Sequence, residues 1–479
     1  MKKLLLFISL VVFEVTIIPT FAQTQINCTN LWNQARVWNF GKNAGLDFNY
    51  DPPIPLTNSA LNIDEGCASI CNVNGNLLFY TDGNNIWNGA SNNIVTSGLL
   101  GSYSSSTSAS ILPMPGNTNR YYIFTTDAFA WGYLYYSIVD STGAIVNPVS
   151  LNKNIKLDTA EIVSEKLTAV RHNNNVDFWV ISHEAHTDKF LIYLVDNSGI
   201  TISSKPAIGA AYSTSSWNQC PGVAKASCDG QKIAVATFAG HTVETYDFNR
   251  TLGVLSNLHT ISFSGLPYGL EFSPNKQFLY VGLEADSGST NLAQINLTSD
   301  NIVPLWTATP PDIYRNGIQL GPDGKIYVTR PDTPFLGVIT NPDSAGTACN
   351  YIDNGISLGG KICAAGLPNI CWITGCCYCL SDTTNDLLCG DVYVPNAFSP
   401  NDDGKNDIFY VRGNCIKTMT LAIYDRWGEK VFESNDPKSG WNGKLHNKYC
   451  NTGVFVWYLD ATLNDGTHVL KKGNLTLFR

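Results

Sequence analysis

The chain has 479 residues, which is too long for one ordinary hydrophobic core and predicts two or more domains. Charged residues make up only 14% of the sequence, and the formal net charge is −9. The lysines and arginines form no clustered stripe, so the chain lacks the basic surface that contacts phosphate backbones. We therefore expect no nucleic-acid partner.

The N-terminus has the organisation of a secretory signal. Two lysines precede an apolar run over residues 4–12, and Ala22 ends a cleavage site of small residues. An anchoring helix is the alternative, but Glu14 interrupts the apolar stretch, which is short for a bilayer span of about 20 residues. We predict a signal peptide over residues 1–22 and no transmembrane span in the mature chain.

Residues 23–375 contain a repeated unit. Each copy has a short apolar strand, a turn of Asn, Asp, Gly or Pro, and a second strand rich in aromatic and β-branched residues. The clearest copies are residues 269–281 and 317–328, and copies recur about every 40 to 60 residues, as four-stranded propeller blades do. Weaker copies begin at Gly66, Ser108, Leu167 and Gly222.

This pattern predicts an all-β fold with a β-propeller over residues 23–375. Seven blades are favoured, and six or eight are the alternatives. Residues 364–370 have the pattern of the opening strand of the last copy, which lacks further strands. The N-terminal residues 36–40 and 45–48 would complete it, so that both ends of the domain close the ring.

The copies resemble the blades of WD-repeat-like and YVTN-type bacterial propellers, above all in the pattern Phe-Ser-Pro-Asn/Asp-x-x-x-Leu-Tyr-Val. The resemblance covers residues 35–372 and implies the architecture, but it implies no chemistry, because propellers include both binding proteins and enzymes. We expect Trp179, Tyr280 and Tyr327 to occupy equivalent buried positions in their blades.

No catalytic, cofactor-binding or metal motif is found. His183 and His186 are three residues apart, whereas the zinc-protease helix needs histidines at i and i+4 to place both imidazoles on one face. They also follow a predicted strand, so a blade loop is expected there. The P-loop and the dinucleotide fingerprint are both missing from the sequence.

Two classes of function stay open. The first is a noncatalytic protein whose propeller binds a glycan or protein ligand, in adhesion or gliding, and the second is a secreted hydrolase or lyase with its active site in the central channel. The missing catalytic motif favours the first. The carboxylates that could converge in the channel are Glu65, Glu161, Glu184, Glu271 and Asp312.

Fourteen cysteines in an exported chain are expected to form disulfides. Six of them lie between Cys363 and Cys389, and residues 376–391 are predicted to be a cysteine-rich linker. If Cys67 and Cys71 lie on one strand, their α-carbons are about 13 Å apart, which is too far for a bridge. They would then have other partners or remain buried thiols.

Residues 392–479 have a different character. Short alternating strands are separated by Asn, Asp and Gly turns, which predicts a small β-sandwich of about seven strands. The motif residues of this segment are Pro395, Asn396, Phe398, Ser399, Pro400, Asn401, Asp403, Gly404, Asn406, Asp407, Tyr424, Arg426, Trp427, Gly428, Gly440, Trp441, Gly443, Gly453, Gly473 and Arg479.

These motifs closely resemble the gliding-motility-associated C-terminal domain, the type B sorting domain of the type IX secretion system, over residues 393–479. The resemblance implies that a signal peptide takes the chain to the periplasm by the Sec route. It further implies that the C-terminal domain directs the chain through the outer membrane to the cell surface or the medium. The implied partners are the type IX translocon and an outer-membrane protein of the PorP/SprF-like kind.

Individual motif residues have different expected roles. Trp427, Trp441 and Trp457 are expected to be core aromatics, and the motif glycines to serve turns or close backbone approach. Arg426 and Arg479 are the candidates for partner recognition, because a guanidinium presents rigid donors to a carboxylate.

The segment that follows Pro400 has two possible interpretations. The alternate spacing of Asn401, Asp403 and Asp407 is that of a calcium loop, but Lys405 occupies a ligand position and no bidentate Glu follows, so an Asx-rich turn is favoured. Calcium is therefore the one candidate cofactor. Cys415 and Cys450 could form a disulfide between two strands; the resemblance supports the first cysteine and not the second.

Overall fold

The computed structural model describes 14 stretches of the chain, and it divides the chain into two compact units, Met1–Tyr378 and Cys379–Arg479. The described residues are 28–128, 132–157, 162–211, 220–284, 291–307, 316–371, 373, 392, 394–401, 406–411, 416–437, 439–446, 448–463 and 468–478.

The described strands of the first unit form seven antiparallel sheets, which we number blades 1 to 7 in chain order. Blade 1 has three strands and the other blades have four. Blades 1 to 3 are β1 (Val37–Phe40), β2 (Ala44–Asp47), β3 (Ile54–Leu56); β4 (Ala68–Cys71), β5 (Leu77–Thr81), β6 (Ile86–Asn88), β7 (Ile94–Thr96); β8 (Ala109–Pro113), β9 (Arg120–Thr125), β10 (Tyr135–Asp140) and β11 (Ile155–Lys156).

The remaining four blades follow in the same way, and each has its strands in sequence order. Blade 4 has β12 (Val163–Arg171), β13 (Phe178–Glu184), β14 (Phe190–Asp196) and β15 (Gly199–Ser204), and blade 5 has β16 (Ala224–Ala226), β17 (Lys232–Thr237), β18 (Thr242–Asn249) and β19 (Val254–Ser262). Blade 6 has β20 (Leu266–Phe272), β21 (Phe278–Glu284), β22 (Leu292–Asn296) and β23 (Ile302–Trp306), and blade 7 has β24 (Ile318–Leu320), β25 (Ile326–Thr329), β26 (Phe335–Ile339) and β27 (Tyr351–Ser357). Two short helices, α1 (Cys28–Asn33) and α2 (Val149–Asn152), accompany them. No helix among the described residues is long and apolar enough to cross a membrane.

Burial decreases from the first strand of a blade to the last. β12 and β13 are buried along their whole length, whereas β19 and β27 are mostly exposed. Neighbouring blades contact one another mainly through their first strands, so these strands surround the centre and the last strands form the rim. Each sheet covers the faces of its neighbours, which is the arrangement of a β-propeller. The expected all-β propeller with seven blades is confirmed.

The hairpin turns of the later blades share one backbone conformation. In blades 5, 6 and 7 the N–H of Gly230, Lys276 and Gly324 bonds to the carbonyl three residues earlier at 2.8 to 3.0 Å, and all three residues have φ between 62° and 77°. Glycine adopts this left-handed conformation without steric cost, which is why the Asp-Gly pairs mark the turns. Lys276 adopts it in the same position because the paired strands on both sides fix the turn.

Blade 1 closes the ring between blades 7 and 2. On one side the rings of Trp38 and Phe48 pack edge-on against Tyr327, with ring centroids 5.5 and 5.3 Å apart. On the other side the N–H of Cys71 bonds to the carbonyl of Gln34 at 2.7 Å. The N-terminal residues therefore close the propeller, as the sequence predicts.

The expectation that residues 364–370 form a strand is wrong. This stretch makes isolated bridges at its edges, antiparallel between Lys42 and Ile362 and parallel between Cys67 and Pro368, but no ladder. The N-terminal segment forms the whole three-stranded sheet of blade 1. The reason is that residues 364–370 bond to several blades in turn and so cannot run along one of them.

The three marker aromatics lie where the repeat predicts. Trp179, Tyr280 and Tyr327 are all buried, and each lies on the second strand of its blade. Tyr280 pairs across the ladder with Glu271 of the first strand, and Tyr327 pairs with Gln319 in the corresponding way. The repeated sequence thus marks a repeated position in the sheet.

Six cysteines of the first unit are buried free thiols, which is one of the two outcomes expected for Cys67 and Cys71 and differs from the disulfides expected for the other four. Cys67 directly precedes β4 and Cys71 is its last residue, so the extended backbone keeps the two apart, and burial raises the pKa of both thiols. Burial in a packed core disfavours the thiolate that disulfide exchange requires. The six are Cys67, Cys71, Cys220, Cys349, Cys363 and Cys371.

The second unit is a small β-sandwich whose main sheet has the strand order β28-β34-β33-β29-β30. β28 is parallel to β34, the other pairings are antiparallel, and β31 and β32 form a separate hairpin. Side chains along β33 alternate between buried and exposed, so one face of the sheet covers the core. The strands are β28 (Ala397–Phe398), β29 (Ile416–Tyr424), β30 (Lys430–Ser434), β31 (Lys444–Leu445), β32 (Lys448–Tyr449), β33 (Gly453–Leu463) and β34 (His468–Leu477).

Candidate functional site

A segment of the chain itself lies in the centre of the propeller; we call residues 364–371 the plug segment. The N–H groups of Ala365 and Asn369 each bond at 2.8 Å to carbonyls of the connection before blade 2, and Ala365 accepts a bond from the N–H of Gly317 in blade 7. The sulfur of its last residue lies 2.8 Å from the hydroxyl of Ser110 in blade 3. The segment therefore links blades on opposite sides of the channel.

Two small cavities remain beside the plug segment. Their volumes are about 40 and about 30 Å³, and both are lined by Lys225 of blade 5 and Gln319 of blade 7. Sites for small organic ligands usually have volumes above about 300 Å³. Cavities of this size accommodate a few water molecules and not a substrate.

Three buried carboxylates around the centre each contact a different donor, and all three donors line the same cavity. The pairs are Glu65 with the Tyr268 hydroxyl at 3.0 Å, Glu165 with the Ser106 hydroxyl at 2.5 Å, and Glu271 with the Lys225 ammonium at 2.9 Å. Burial raises the pKa of Glu271, and the Lys225 ammonium opposes that shift.

Three of the five acidic residues named for the channel are among the described residues. Glu184 lies at the end of β13, and Glu161 and Asp312 lie outside the described residues. Within the described part of the chain, no group of three or more His, Cys, Asp or Glu residues could hold a metal ion. Glu65, in the connection before blade 2, accepts from Tyr268 of blade 6, and Glu271 of blade 6 accepts from the N–H of Leu320 in blade 7.

His183 is a buried residue of β13 and not a loop residue as expected. Its Nδ1 lies 2.7 Å from the carbonyl of Glu184, which can only accept, so Nδ1 carries the proton. Burial, together with the nearby Lys166 ammonium, lowers the pKa of His183 to about 3. Burial also lowers the pKa of Lys166 to about 8, and its Nζ donates to the carbonyls of Cys220 and Pro221. Lys166 belongs to no sequence motif. Only its burial in the folded chain distinguishes it from other lysines.

Replacing His183 by Gln should make the propeller less sensitive to acid. The folded state holds His183 neutral below the pH at which the unfolded chain, with a pKa near 6.5, takes up a proton. Between pH 6.5 and 3, the unfolded state of the wild-type protein therefore binds one proton more than the folded state. Each unit by which the pH is lowered in that window reduces the free energy of unfolding by about 1.4 kcal/mol. Urea unfolding at pH 7 and pH 5 measures this dependence. A variant with the same pH dependence as wild type would contradict it.

The aromatic motif residues of the second unit form its core. The ring of Trp441 packs against Phe398 and Phe455 with centroid distances of 5.4 and 4.9 Å. Trp457 is buried, and its indole N–H donates to the carbonyl of Asn474 at 3.3 Å. Among the other motif residues, Pro400 and Gly443 are buried, Pro395, Ser399, Asp407, Tyr424, Gly440, Gly453 and Gly473 are half-buried, and Asn396, Asn401, Asn406 and Gly428 are exposed.

Two motif glycines permit close packing. A β-carbon on Gly473 would lie 2.7 Å from the ring of Trp457, so this strand passes directly over the indole. Gly443 has φ of 76°, and a β-carbon there would lie 2.9 Å from Pro400. A side chain at either position would displace the aromatic core.

Trp427 is not a core residue, contrary to expectation, because 80% of its surface is exposed. It lies in the tight turn between β29 and β30, where one carboxylate oxygen of Asp425 accepts the N–H groups of Trp427 and Glu429 at 2.9 Å each. Gly428 completes the turn with φ of 85°. The guanidinium of Arg426 lies 4.9 Å from the centroid of the Trp427 ring. The sequence Asp-Arg-Trp-Gly carries a turn signal, which predicts the turn but not the exposure of the ring.

The segment after Pro400 makes an Asx-type contact at its ends. The N–H of Asn401 donates to a carboxylate oxygen of Asp407 at 2.9 Å, and the N–H of Ser399 donates to the carbonyl of Asn406 at 2.9 Å. Asp403, Gly404, Cys415 and Arg479 lie outside the described residues. The calcium interpretation, the role of Arg479 and the pairing of Cys415 with Cys450 therefore stay predictions.

The first unit is similar in fold to solved propeller structures of low sequence identity. A candidate 6-phosphogluconolactonase from Bacteroides fragilis is 11% identical, with a TM-score of 0.47, over 69% of this chain and 96% of that one. AztD from Citrobacter koseri is 14% identical, with a TM-score of 0.36, over 70% of this chain and 88% of that one. The β-propeller domain of Cps50 (Swd1) from Myceliophteria thermophila is 10% identical, with a TM-score of 0.38, over 62% of this chain and 93% of that one. No curated protein sequence matches the chain.

The second unit has a direct match at the level of sequence families. Residues 392–477 match the family model of the CHU_C type IX secretion signal domain. The matched range begins at the buried Val392 and ends at the last residue of β34, so it covers the described β-sandwich. The C-terminal unit is therefore a type IX secretion signal domain, and the protein is exported to the cell surface or secreted.

Proposed function

We propose that the exported protein is a noncatalytic binding protein whose propeller recognises a glycan or protein ligand, in adhesion or gliding. The filled channel is the observation that carries this proposal. Lys225 and Gln319 line cavities of only about 40 and about 30 Å³ next to the plug segment, which is too little space for a substrate. This observation weighs against the alternative, a hydrolase or lyase with its active site in the channel.

One face of the propeller is favoured for ligand binding. Antiparallel strands alternate in direction. The connection from the second to the third strand of a blade therefore lies on the same face of the propeller as the connection from its last strand to the next blade. We call this face the loop face. The connection at residues 97–108 reaches it, as do the described parts of three further connections, residues 126–128 and 132–134, 205–211 and 220–223, and 307 and 316–317. The opposite face carries short hairpins such as 227–231 and 321–325, together with the longer connections 141–154 and 340–350. Long loops on a rigid scaffold are the usual carriers of binding sites.

Tyr103 is the exposed aromatic residue of the loop face that can be tested first. It lies in the connection between β7 and β8, and 70% of its surface is exposed. A solvent-exposed ring offers a flat apolar surface to a sugar ring or to an apolar side chain. Tyr50 is a matched control, because it is 57% exposed in the connection between β2 and β3, which reaches the opposite face.

The full chain should bind a subset of glycans on an array or proteins on a host cell surface, and Tyr103→Ala should weaken this binding about two- to tenfold. Tyr50→Ala should bind like wild type. Equal loss of binding in both variants, or no loss of binding in either, would contradict a binding site on the loop face. Turnover of an arrayed glycan that disappears in Glu271→Gln would instead establish the channel enzyme.

The export route belongs to the same proposal. A signal peptide over residues 1–22 would take the chain across the inner membrane by the Sec pathway, and the C-terminal domain would then engage the type IX translocon and a PorP/SprF-like outer-membrane protein. The match of residues 392–477 to the secretion signal domain supports these partners. A cysteine-rich linker at residues 376–391, with its cysteines in disulfides, belongs to the same proposal.

A further inference from the structure

The largest exposed apolar side chain of the secretion signal domain sits on a turn. Trp427 is 80% exposed, and the Asp425 carboxylate fixes the backbone around it through two hydrogen bonds of 2.9 Å. Exposed tryptophans are unfavourable in water and are enriched at the energetic centres of protein interfaces. A rigid turn also presents the ring with little loss of conformational entropy on binding.

Arg426 gives this turn a charge beside the ring. Its guanidinium lies 4.9 Å from the centroid of Trp427, a cation–π arrangement that leaves the N–H edge of the guanidinium free to bind an external carboxylate. No ion pair of Arg426 is recorded among the described residues. We call Arg426 and Trp427 together the turn pair.

The strand that leads to the turn pair continues an exposed, partly apolar sheet face. Tyr424 pairs with Val456 across the ladder, and Val456 and Tyr458 are exposed on the same side of the sheet. The outer face of a sandwich in an isolated domain is normally polar, so exposed valine and tyrosine here extend the apolar surface of the turn pair.

Acidic and basic side chains are interspersed on this face, and the Arg426 guanidinium is the cation that lies against the exposed ring. Glu433 pairs with Lys430 at 2.7 Å, Asp460 lies 2.8 Å from His468, and Asp425 and Glu429 belong to the turn itself. Lys472, opposite Tyr458 in the ladder, has no recorded ion pair in the described part of the domain. In the sequence, residues 392–479 carry eleven Lys or Arg and nine Asp or Glu, whereas residues 1–391 carry nineteen and thirty. The domain thus has a positive net charge, whereas the rest of the protein has a strongly negative net charge.

We infer that the turn pair and the adjoining face of Tyr424, Val456 and Tyr458 are the surface by which the secretion signal domain docks to its outer-membrane partner. The partner surface is an apolar recess next to exposed Asp or Glu side chains. The indole fills the recess, and the guanidinium binds a carboxylate in bidentate geometry. The inference rests on the proposed function, because it presumes an outer-membrane partner for export.

Export of full-length variants from a cell with the type IX system tests the surface. Trp427→Ala and Arg426→Gln should each reduce the amount outside the cell at least about fivefold, with the protein accumulating in the periplasm. Arg426→Lys, which keeps the charge but loses the bidentate fork, should fall between Arg426→Gln and wild type. All variants should keep the wild-type melting temperature, because the substituted side chains are exposed.

A second exposed cation–π pair in the same domain provides the matched control. Nζ of Lys444 lies 4.3 Å from the centroid of Tyr449, which is 43% exposed on the hairpin of β31 and β32. Tyr449→Ala should be exported like wild type. Equal export loss in Tyr449→Ala, or less than fivefold loss in Trp427→Ala or Arg426→Gln, would overturn the inference. If the inference fails in this way, loss of export on deletion of residues 392–479 in the same cells still supports the proposed export function of the domain.

Photo-crosslinking identifies what covers the turn pair. A benzophenone side chain introduced at position 427 of the full chain, and irradiated in exporting cells, should crosslink to an outer-membrane protein, whereas the same group at position 449 should not. The crosslink should be lost when Arg426 is also replaced by Gln. Crosslinks only to a second copy of this chain or to lipid, or no crosslink at all, would overturn the inference.

Discussion

Deletion of residues 392–479 should remove the protein from the cell surface and the medium while leaving a folded propeller in the periplasm. The deletion takes away the whole secretion signal domain but none of the seven blades, so the propeller keeps its core. The proposed signal peptide is also untouched, and inner-membrane passage should continue. Fractionation and quantitative blotting of wild-type and truncated chains measure the distribution. Normal secretion of the truncated chain would contradict the export role of the domain.

Transfer of the domain gives the complementary result. Residues 392–479 attached to an unrelated periplasmic protein should carry it out of a cell with the type IX system and not out of a cell that lacks it. A second fusion that starts at Cys363 tests whether the linker is needed. This longer fusion includes the plug segment, which is bonded to blades 2, 3 and 7 in the intact protein and would be exposed in the fusion. We therefore expect it to be the less soluble of the two.

Replacing Tyr327 by Ala should destabilise the propeller by about 3 to 5 kcal/mol. The ring is fully buried at the joint between blades 7 and 1, where it packs against Trp38 and Phe48, and its hydroxyl donates to Asp323 at 2.8 Å. Truncation opens a cavity where the ring of blades is closed, and the remaining aromatics lose their partner. Chemical unfolding followed by tryptophan fluorescence measures the change in free energy.

Two control variants separate the contributions at this joint. Tyr327→Phe keeps the ring and removes only the hydrogen bond to Asp323, so the loss should be about 1 kcal/mol. Tyr103→Ala, at an exposed position, should change stability by less than about 0.5 kcal/mol. A Tyr327→Ala variant as stable as Tyr103→Ala would show that closure does not depend on this aromatic contact.

The sequence by itself determined the blade repeat and the secretion signal domain. Both depend on local chemistry: the hairpin turns need residues such as Gly230 and Gly324 that accept a left-handed conformation, and the second strands need buried aromatics such as Tyr280 and Tyr327. Such requirements act within a few residues of the chain, so they leave a periodic pattern that can be read along it.

Only the tertiary structure decided what fills the channel and which aromatics are exposed. The plug segment has the composition of an opening strand, but its backbone partners belong to different blades, and no local pattern specifies partners far away in the sequence. Trp427 and Trp441 each lie between a glycine and a polar residue in the sequence, yet one is 80% exposed and the other 1%. A carboxylate of Asp425 fixes the first in a turn, whereas Phe398 and Phe455, from separate strands, enclose the second. Burial is a property of the assembled core, which is why the sequence predicted a core position for both.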